Sequence, residues 1–317
     1  MRMICTWMLA LACAAPAAAQ TWPSKPIRWI VPFAPGGAND ITARVVAERL
    51  VRSLGQPVVV ENRPGAAGTI GTELVARSPA DGYTLVSISD TITLAPHLYP
   101  KLGFHPIRDF VAVTQLARQP VVLAVHPSLG VNSVAELVAL VKRNPGLGYA
   151  TAGAGTQQHI AAEWFASLAG IRLTHVPYKG GGQAVSDLLG GQVQLASLGA
   201  APLAPHHKSG KVKLIAQTTD SRSPLLPEVP TYREMGFGAL SIEQWQGVFF
   251  PARTPREIAA RLNAEIVKSL AEPAVRERFA QNSLETVGDT PEQFAAVVSR
   301  DYEKYGRLVS ELGIRID

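Results

Sequence analysis

The stretch VPFAPGGAND, residues 31–40, joins a strand-like segment to a helical one through two glycines. The apolar run IRWIVPF (27–33) leads into it, and the helical pattern DITARVVAERL (40–50) follows it. A strand, a glycine-rich turn and a helix start together expose backbone N–H groups that can hold an anion. The phosphate-binding forms of such a turn, G-x-x-x-x-G-K-[ST] and G-x-G-x-x-G, are missing here. The stretch therefore raises the question of which anion the loop would bind.

Strand-like and helical segments alternate along most of the chain. After the first loop, apolar residues recur at a spacing near 3.6, which is typical of a helix; they are Ile41, Val45, Val46, Leu50 and Leu54. Ser133 is expected to open a further helix that ends before Pro145, and the last third of the chain is mostly helical. This alternation predicts an α/β fold in which parallel strands are covered by helices.

Two further strand–glycine loop–helix units follow the first one, at YATAGAG (149–155) and VPYKGGG (176–182). Taken alone, each loop is an ordinary tight turn between a strand and a helix. The carboxyl ends of parallel strands meet at one edge of a sheet, where ligands of open α/β sheets bind. Three such loops therefore favour a ligand crevice.

The composition of the loops indicates the kind of anion. Gly36 and Gly37 allow a ligand to approach the backbone closely, and Asn39 is expected to cap a helix that begins near Asp40. Residues 33–43 contain no Lys or Arg, and neither does the second loop, 150–159. Uncharged loops suit a small carboxylate held by N–H groups, hydroxyls and ordered water. A dicarboxylate could place one end on each loop.

Four side chains near the loops have two interpretations each. His159 either contacts the ligand or braces the second loop, and Asp90 either accepts a ligand amine or bonds a loop backbone. Tyr178 either lines the crevice or packs as a half-buried aromatic ring. Lys179 either attracts the anion or is a solvated loop residue.

The N-terminus, MRMICTWMLALACAAPAAAQ, has the features of a secretory signal: Arg2, a short apolar stretch and a small-x-small pattern at Ala17 and Ala19. We expect cleavage after Ala19 and a periplasmic mature protein; a lipoprotein anchored at Cys13 is the alternative. Both cysteines lie in this segment, so the mature chain has no disulfide and no thiol nucleophile.

Other function classes find little support in the sequence. The formal net charge is +5, and its charges are scattered rather than gathered on a basic face, which argues against nucleic-acid binding. The catalytic motifs G-x-S-x-G and H-E-x-x-H are absent. We therefore expect no catalytic residues, no metal and no cofactor.

The chain resembles the extracytoplasmic solute-binding receptors of tripartite tricarboxylate transporters, the Bug receptor family. Six segments carry the resemblance in order: 22–44, 60–85, 149–165, 175–194, 210–236 and 245–255. The resemblance implies a two-lobed periplasmic binding protein fold, type II-like, in which each lobe is a mixed, mostly parallel sheet flanked by helices. It also implies a small carboxylate ligand, held by backbone groups and bridging waters between Phe33–Asp40 and Thr151–Gln157.

The resemblance and the loops together define a predicted ligand-binding set. Its members are Phe33, Ala34, Pro35, Gly36, Gly37, Asn39, Asp40, Asp90, Thr91, Thr151, Ala152, Gly153, Gly155, Thr156, Gln157, His159 and Tyr178. Two of them depart from the family pattern. Thr156 stands where relatives commonly carry Ser, and Asp90 where a neutral or basic residue is more familiar. Because the Asp90 carboxylate near the pocket could bind a ligand amine, amino acids and amides remain alternative ligands.

We expect lobe 1 to contain residues 22–122 and 246–317, and lobe 2 to contain residues 123–245. The chain would cross between them near 117–123 and again near 244–248. The function implied is a monomeric receptor that delivers its carboxylate or amino-acid-like ligand to the subunits of a membrane transporter. The alternatives are a secreted enzyme that uses Asp90 and His159 as an acid–base pair, and a receptor for a membrane sensor kinase.

Overall fold

A computed structural model describes residues 22–316, so the predicted signal segment, 1–19, lies outside the described residues. The strands are β1 Ile27–Val31, β2 Val58–Asn62, β3 Thr84–Ser89, β4 Phe110–Val125, β5 Leu147–Thr151, β6 Leu173–Pro177, β7 Leu195–Gly199, β8 Lys213–Gln217, β9 Glu243–Pro251 and β10 Glu285–Thr286. The helices are α1 Ala38–Leu54, α2 Thr69–Ala76, α3 Thr91–Leu98, α4 Val134–Arg143, α5 Gln157–Ala169, α6 Gly181–Leu189, α7 Ala204–Lys208, α8 Arg256–Ala271, α9 Pro273–Gln281 and α10 Pro291–Leu312.

The strands follow the order β2-β1-β3-β9-β4-β7-β5-β6, with β8 and β10 also paired to β4. Two parallel groups, β1–β3 and β5–β7, lie at the two ends of this order. The antiparallel pairs all include β4 or β9. The result is the two-lobed α/β fold expected from the sequence, with a mixed sheet and flanking helices in each lobe.

The long strand β4 belongs to both groups of strands. Its residues Phe110–Pro120 pair with β9, and Val121–Val125 pair with β7. Strand β9 begins at Glu243, opposite Pro120, so the chain passes twice through the same region. We propose that these two passages form the hinge between the two lobes. Lobe 1 would contain residues 22–122 and 246–317, and lobe 2 would contain residues 123–245.

Separate apolar cores stabilise the two groups of strands. In one, α1 and α8 cover β1 and β4 with buried side chains such as Trp29, Leu50 and Leu262. In the other, α4 and α5 cover β4 and β5, around Leu137, Phe165 and Tyr149. A smaller core joins α3 and α10 to α5, which belong to different lobes. Burial of these apolar surfaces, at ~25 cal/mol per Å², fixes the sheets on which the loops stand.

The start of α4 follows from a local sequence signal. The Ser133 side chain accepts a hydrogen bond from the Glu136 N–H at 3.2 Å, so it opens α4 as predicted. The sequence predicted neither α3, which contains Pro96, nor β9, and it did not predict the full length of β4. Among residues 22–316, no helix is long and apolar enough to cross a membrane.

Candidate functional site

The first glycine loop connects β1 to α1. Helix α1 begins at Ala38 with Gly37 as its N-cap, and no side chain caps it. The expectation that Asn39 caps this helix is therefore wrong, because Asn39 already lies in its first turn. Instead, Asp40 Oδ2 accepts a hydrogen bond of 3.0 Å from the Gly36 N–H. Asp40 thus folds the glycine turn back onto the helix start.

Asp40 is itself held in place from two sides. Its Oδ1 accepts hydrogen bonds from Arg44 Nε and Asn62 Nδ2, both at 2.9 Å. Burial alone would raise the pKa of the Asp40 carboxyl, but the hydrogen bonds from Arg44, Gly36 and Asn62 outweigh it and lower the pKa below its ordinary value. The Asp40 carboxylate is therefore ionised, and its hydrogen bonds hold the loop in place.

The start of α1 leaves donors available to a ligand. The N–H groups of Asp40 and Ile41 donate to the Gly37 carbonyl. Within residues 22–316, the N–H groups of Gly37, Ala38 and Asn39 have no acceptor, as expected for the first turn of a helix. The Asn39 side chain is buried, and its Oδ1 atom also lacks a partner among these residues. These groups line one cavity.

The second glycine loop connects β5 to α5 and is held by its own hydroxyls. Thr156 is the N-cap of α5: its Oγ1 accepts from the His159 N–H at 3.4 Å and donates to the Gly153 carbonyl at 2.8 Å. Thr151 Oγ1 accepts from the Gly153 N–H at 3.1 Å. Gln158 Oε1 accepts from the Ala152 N–H at 3.0 Å. The added methyl group of Thr156 is therefore compatible with a capped helix start.

His159 braces this loop. Its Nδ1 accepts a hydrogen bond of 3.2 Å from the Gly155 N–H, and its ring stacks on His175 with centroids 4.1 Å apart. His175 Nε2 shares a hydrogen bond of 2.7 Å with the Thr151 hydroxyl. Burial, followed by the neighbouring His159, lowers the pKa of His175 to about 3, and burial also lowers the pKa of His159. Both rings are therefore neutral near pH 7.

The two helix starts face a partly enclosed space that we call the inner chamber. The volume open to the centre of a water-sized sphere there is about 20 Å³. None of the described residues that line it carries a charge. They are Phe33, Gly37, Ala38, Asn39, Ser89, Thr91, Ala152, Thr156, Gln158, Gly181, Leu198, Gly199, Pro202 and Gln244.

A hydrogen bond between the lobes lies beside the inner chamber. The Thr91 hydroxyl, at the start of α3, donates to Gln157 Oε1 of α5 at 2.9 Å. Ser89 Oγ and Thr91 Oγ1 lie 2.9 Å apart and share a second hydrogen bond. Gln157 is thus held by the opposite lobe, and its Nε2 has no partner among the described residues.

Asp90 does not line the inner chamber. Its side chain is fully buried, and its Oδ2 accepts a hydrogen bond of 3.0 Å from the Tyr305 hydroxyl on α10. Burial, and then the nearby Asp301, raises the pKa of Asp90 well above its ordinary value. The bond to Tyr305 is neither of the two roles considered from the sequence.

The third glycine loop packs against the first one across the cleft. The Ala34 N–H donates to the Lys179 carbonyl at 2.9 Å. A Cβ built on Gly37 would lie 3.4 Å from the Gly181 nitrogen, so the two backbones touch. The third loop therefore contributes Gly181 to the inner chamber and also joins the lobes.

The structure brings together part of the predicted set. Members in the inner chamber are Phe33, Gly37, Asn39, Thr91, Ala152 and Thr156. Ala34, Pro35 and Gly36 line a neighbouring groove with the third loop, whereas Phe33, Ala152, Gly153 and Tyr178 line a second cavity between the lobes. The remaining members line none of these spaces and lie behind them; they are Asp40, Asp90, Thr151, Gly155, Gln157 and His159.

Sequence reasoning missed several lining residues. Leu198, Gly199 and Pro202 lie at and just beyond the carboxyl end of β7. The rule that ligands bind at the carboxyl ends of strands could have pointed to them. Gln244 lies near the start of β9, and no local pattern marks it.

Comparison with known proteins identifies the family. The sequence profile of the tripartite tricarboxylate transporter family receptors, TctC, matches residues 42–314. The chain belongs to this family. The protein BugT of Bordetella pertussis is 38% identical to this receptor over 306 residues, which cover 96% of this chain and 94% of BugT. A protein of Pseudomonas sp. strain P51 from the tcbD–tcbE intergenic region is 39% identical over 292 residues, covering 92% and 87% of the two chains.

Solved structures of periplasmic binding proteins share the fold of this receptor. The structure of BugD has 34% identity and a TM-score of 0.89, covering 93% of this chain and 99% of BugD. A Rhodopseudomonas palustris protein solved with bound malate, MatC, has 31% identity and a TM-score of 0.87, covering 91% and 100%. An R. palustris protein solved with adipate has 32% identity and a TM-score of 0.89, covering 93% and 99%. The resemblance stated from the sequence and the predicted fold class are therefore confirmed.

Proposed function

We propose that this receptor captures a small carboxylate in the inner chamber and delivers it to the membrane subunits of a tripartite transporter. The observation that carries the proposal is the row of donors at Gly37, Ala38 and Asn39, which have no acceptor within the described chain and line an uncharged space. A helix start favours a negative charge through its free N–H groups and its dipole.

The absence of charged side chains in the lining favours a carboxylate over a phosphate. A phosphate usually recruits Lys or Arg in addition to N–H groups, whereas a carboxylate needs fewer donors. The malate and adipate bound by two relatives support the same chemical class. The side-chain NH2 groups of Gln158 and Gln244 at the chamber wall can donate further hydrogen bonds to a carboxylate, because only the Oε1 atoms of these two side chains are engaged within the described chain.

The size of the inner chamber indicates that binding involves motion. A space of about 20 Å³ is close to the ~10–15 Å³ needed by one water molecule. A four-carbon acid is larger than that, so the lobes must move apart to admit it and then close around it. The two passages of the chain at Pro120 and Glu243 are the proposed hinge for this motion.

We further propose that the protein acts as a periplasmic monomer after cleavage of its signal segment and has no enzymatic activity. The acid–base pair considered from the sequence is poorly arranged for catalysis: Asp90 is bonded to Tyr305, and His159 is occupied by Gly155 and His175. Neither side chain lines the inner chamber.

The proposal is tested by ligand binding to protein that has been unfolded and refolded to remove co-purified molecules. Thermal unfolding is measured against a panel of carboxylates, amino acids, amides, phosphates and sugars, and hits are titrated by calorimetry. We expect at least one carboxylate to raise the melting temperature and to bind with one-to-one stoichiometry. A response to phosphates or sugars alone, or to no compound, contradicts the proposal.

A further inference from the structure

Two glutamine side chains form a hydrogen-bonded pair where the chain passes between the lobes. Gln119 of β4 lies opposite Gln244 of β9, and both side chains are buried. Gln119 Nε2 donates a hydrogen bond of 2.9 Å to Gln244 Oε1. The glycine at position 199 leaves room for this bond, since a Cβ built there would overlap both of these atoms. Because Gly199 and Gln244 line the inner chamber, the pair lies at its wall.

A backbone group determines how these two amides are oriented. The Ala201 N–H, which can only donate, gives a hydrogen bond of 2.7 Å to Gln119 Oε1. The NH2 group of Gln119 must therefore face Gln244, which can accept from it only through Oε1. Turning over either amide would set two donors or two acceptors against each other. The NH2 group of Gln244 is consequently the end that remains for the inner chamber.

The second glutamine of the chamber lining has the same orientation. Gln158 Oε1 accepts a hydrogen bond of 3.0 Å from the Ala152 N–H, which leaves its NH2 group free. None of the described lining residues carries a negative charge, and Asp90 is not among them. A ligand oxygen can accept from the two NH2 groups, whereas a ligand ammonium group needs acceptors. The wall at Gln244 therefore suits an oxygen better than an amine.

We propose that Gln119 is a specificity-determining positioning residue. By holding Gln244 Oε1, it directs the Gln244 NH2 group into the inner chamber, so the receptor selects acids that place an oxygen there over their amino-acid counterparts. Gln244 contacts the ligand, and Gln119 acts through Gln244. This inference rests on the proposed function, because the carboxylate ligand must occupy the inner chamber.

The test compares acids with amino acids of the same carbon chain. Malate is paired with aspartate, 2-oxoglutarate with glutamate, and adipate with 2-aminoadipate. Calorimetry gives the dissociation constants, and the preference is the dissociation constant of the amino acid divided by that of its acid. For at least one pair, we expect the wild type to prefer the acid by about tenfold, which is the effect of one hydrogen bond.

Gln119→Glu tests the orientation directly. The introduced carboxylate still accepts from the Ala201 N–H, but it offers a second oxygen to Gln244, whose amide must then turn its Oε1 into the chamber. The preference for the acid should fall to about one. Gln192→Glu, the same change at an exposed residue, should leave the preference unchanged. Gln119→Met removes both hydrogen bonds, lets the Gln244 amide rotate, and should also lower the preference.

A double-mutant cycle separates orientation from charge. The introduced carboxylate repels ligand anions in any background, but it can turn the Gln244 amide only where that amide exists. Gln119→Glu should therefore lower the preference about fivefold more in the wild type than in Gln244→Met. Circular dichroism shows whether each variant is folded, and Gln119→Met takes the place of Gln119→Glu in the cycle if the latter is not.

Three results would overturn the inference while leaving the proposed function standing. The first is an equal fall in preference with and without Gln244, or no fall at all. The second is a wild type that binds each amino acid as tightly as its acid. The third is a wild type that binds other carboxylates but none of these six compounds. If the wild type binds no carboxylate of any kind, the proposed function fails together with the inference.

Discussion

The backbone N–H of Ala34 in the first glycine loop donates a hydrogen bond of 2.9 Å to the carbonyl oxygen of Lys179 in the third. This bond joins the two lobes without using a side chain. The glycines around it allow the two backbones to approach, since a Cβ built on Gly180 would lie 2.7 Å from the Ala34 nitrogen. The third loop therefore contacts the first loop beside the inner chamber.

Gly182→Ala should weaken ligand binding by holding the lobes apart. A Cβ at this position would overlap the carbonyl oxygen of Pro35 in the opposite lobe. Because overpacking of a tight contact costs about 1–3 kcal/mol, we expect a loss of affinity of roughly tenfold. Small-angle X-ray scattering should also show a larger radius of gyration for the saturated variant than for the saturated wild type.

Gly238→Ala is the matched control, because its Cβ would meet only Arg233 Cγ at 3.8 Å. It should bind like the wild type. If Gly182→Ala also binds like the wild type and closes to the same radius of gyration, the contact between the two glycine loops does not contribute to closure.

Gly37→Val should abolish binding and leave the fold largely intact, whereas Gly37→Ala should have a small effect. The backbone of Gly37 has φ −85°, which any residue can adopt, so its need for glycine is steric rather than conformational. A Cβ fits at 3.4 Å from the Gly181 nitrogen, and we expect the two γ-methyl groups that valine adds to push the first and third loops apart. Calorimetry measures the affinity of each variant, and circular dichroism shows whether the variant is folded. Full affinity in Gly37→Val would remove the first loop from the site.

The stacked pair His159 and His175 predicts a loss of stability in mild acid. The pKa of His175 is lowered to about 3 from 6.5, so the unfolded chain takes up a proton at higher pH than the folded one. The stabilising contribution is complete above pH 6.5 and is lost as the pH falls below that value. We expect the free energy of unfolding, measured with urea, to decline between pH 6.5 and 5.

His175→Phe keeps a ring for stacking on His159 but cannot take up the proton. It should be less stable than the wild type at pH 8, because it loses the bond to Thr151. Between pH 6.5 and 5, however, its stability should decline less than that of the wild type. Parallel pH profiles for the two proteins would show that His175 does not have a lowered pKa.

The raised pKa of Asp90 predicts that the free energy of unfolding depends on pH in the opposite direction. Its pKa is raised by burial and by Asp301, so the folded state favours the neutral acid, and stability is lost as the pH rises from 3.8 through the raised value. Asp90→Asn keeps an acceptor for the Tyr305 hydroxyl, and its free energy of unfolding should change less than that of the wild type as the pH rises from 3.8. Asp90→Ala leaves that buried hydroxyl without its acceptor and should cost about 1–3 kcal/mol. Equal urea midpoints for the two variants would contradict this role.

The sequence predicted the parts of the fold that depend on local pattern. Helix α4, opened by Ser133, and the three loops at the carboxyl ends of β1, β5 and β6 are examples. Strand β9 and the full length of β4 were not predicted, because polar residues interrupt these strands and their pairing links segments about 125 residues apart, as with Gln119 and Gln244. Helix α3 was missed because β-branched residues and Pro96 weaken its helical pattern.

The candidate site was predictable to a similar extent. The glycines of each loop predicted a helix after it, but the sequence placed the cap of α1 at Asn39 instead of Gly37 and did not identify Thr156 as the cap of α5. The pairing of the first loop with the third depends on how the lobes close, which no local pattern in the sequence encodes. For the same reason, the role of Asp90 could not be inferred, since its partner Tyr305 lies 215 residues away in the chain.

A crystal structure of the protein with the tightest-binding carboxylate from the panel tests most directly whether the inner chamber holds the ligand. We predict a closed complex in which one carboxylate lies within hydrogen-bond distance of the N–H groups of Gly37, Ala38 or Asn39, with the start of α5 on the opposite side. A carboxylate bound outside the inner chamber, or held by one lobe alone, would contradict this prediction.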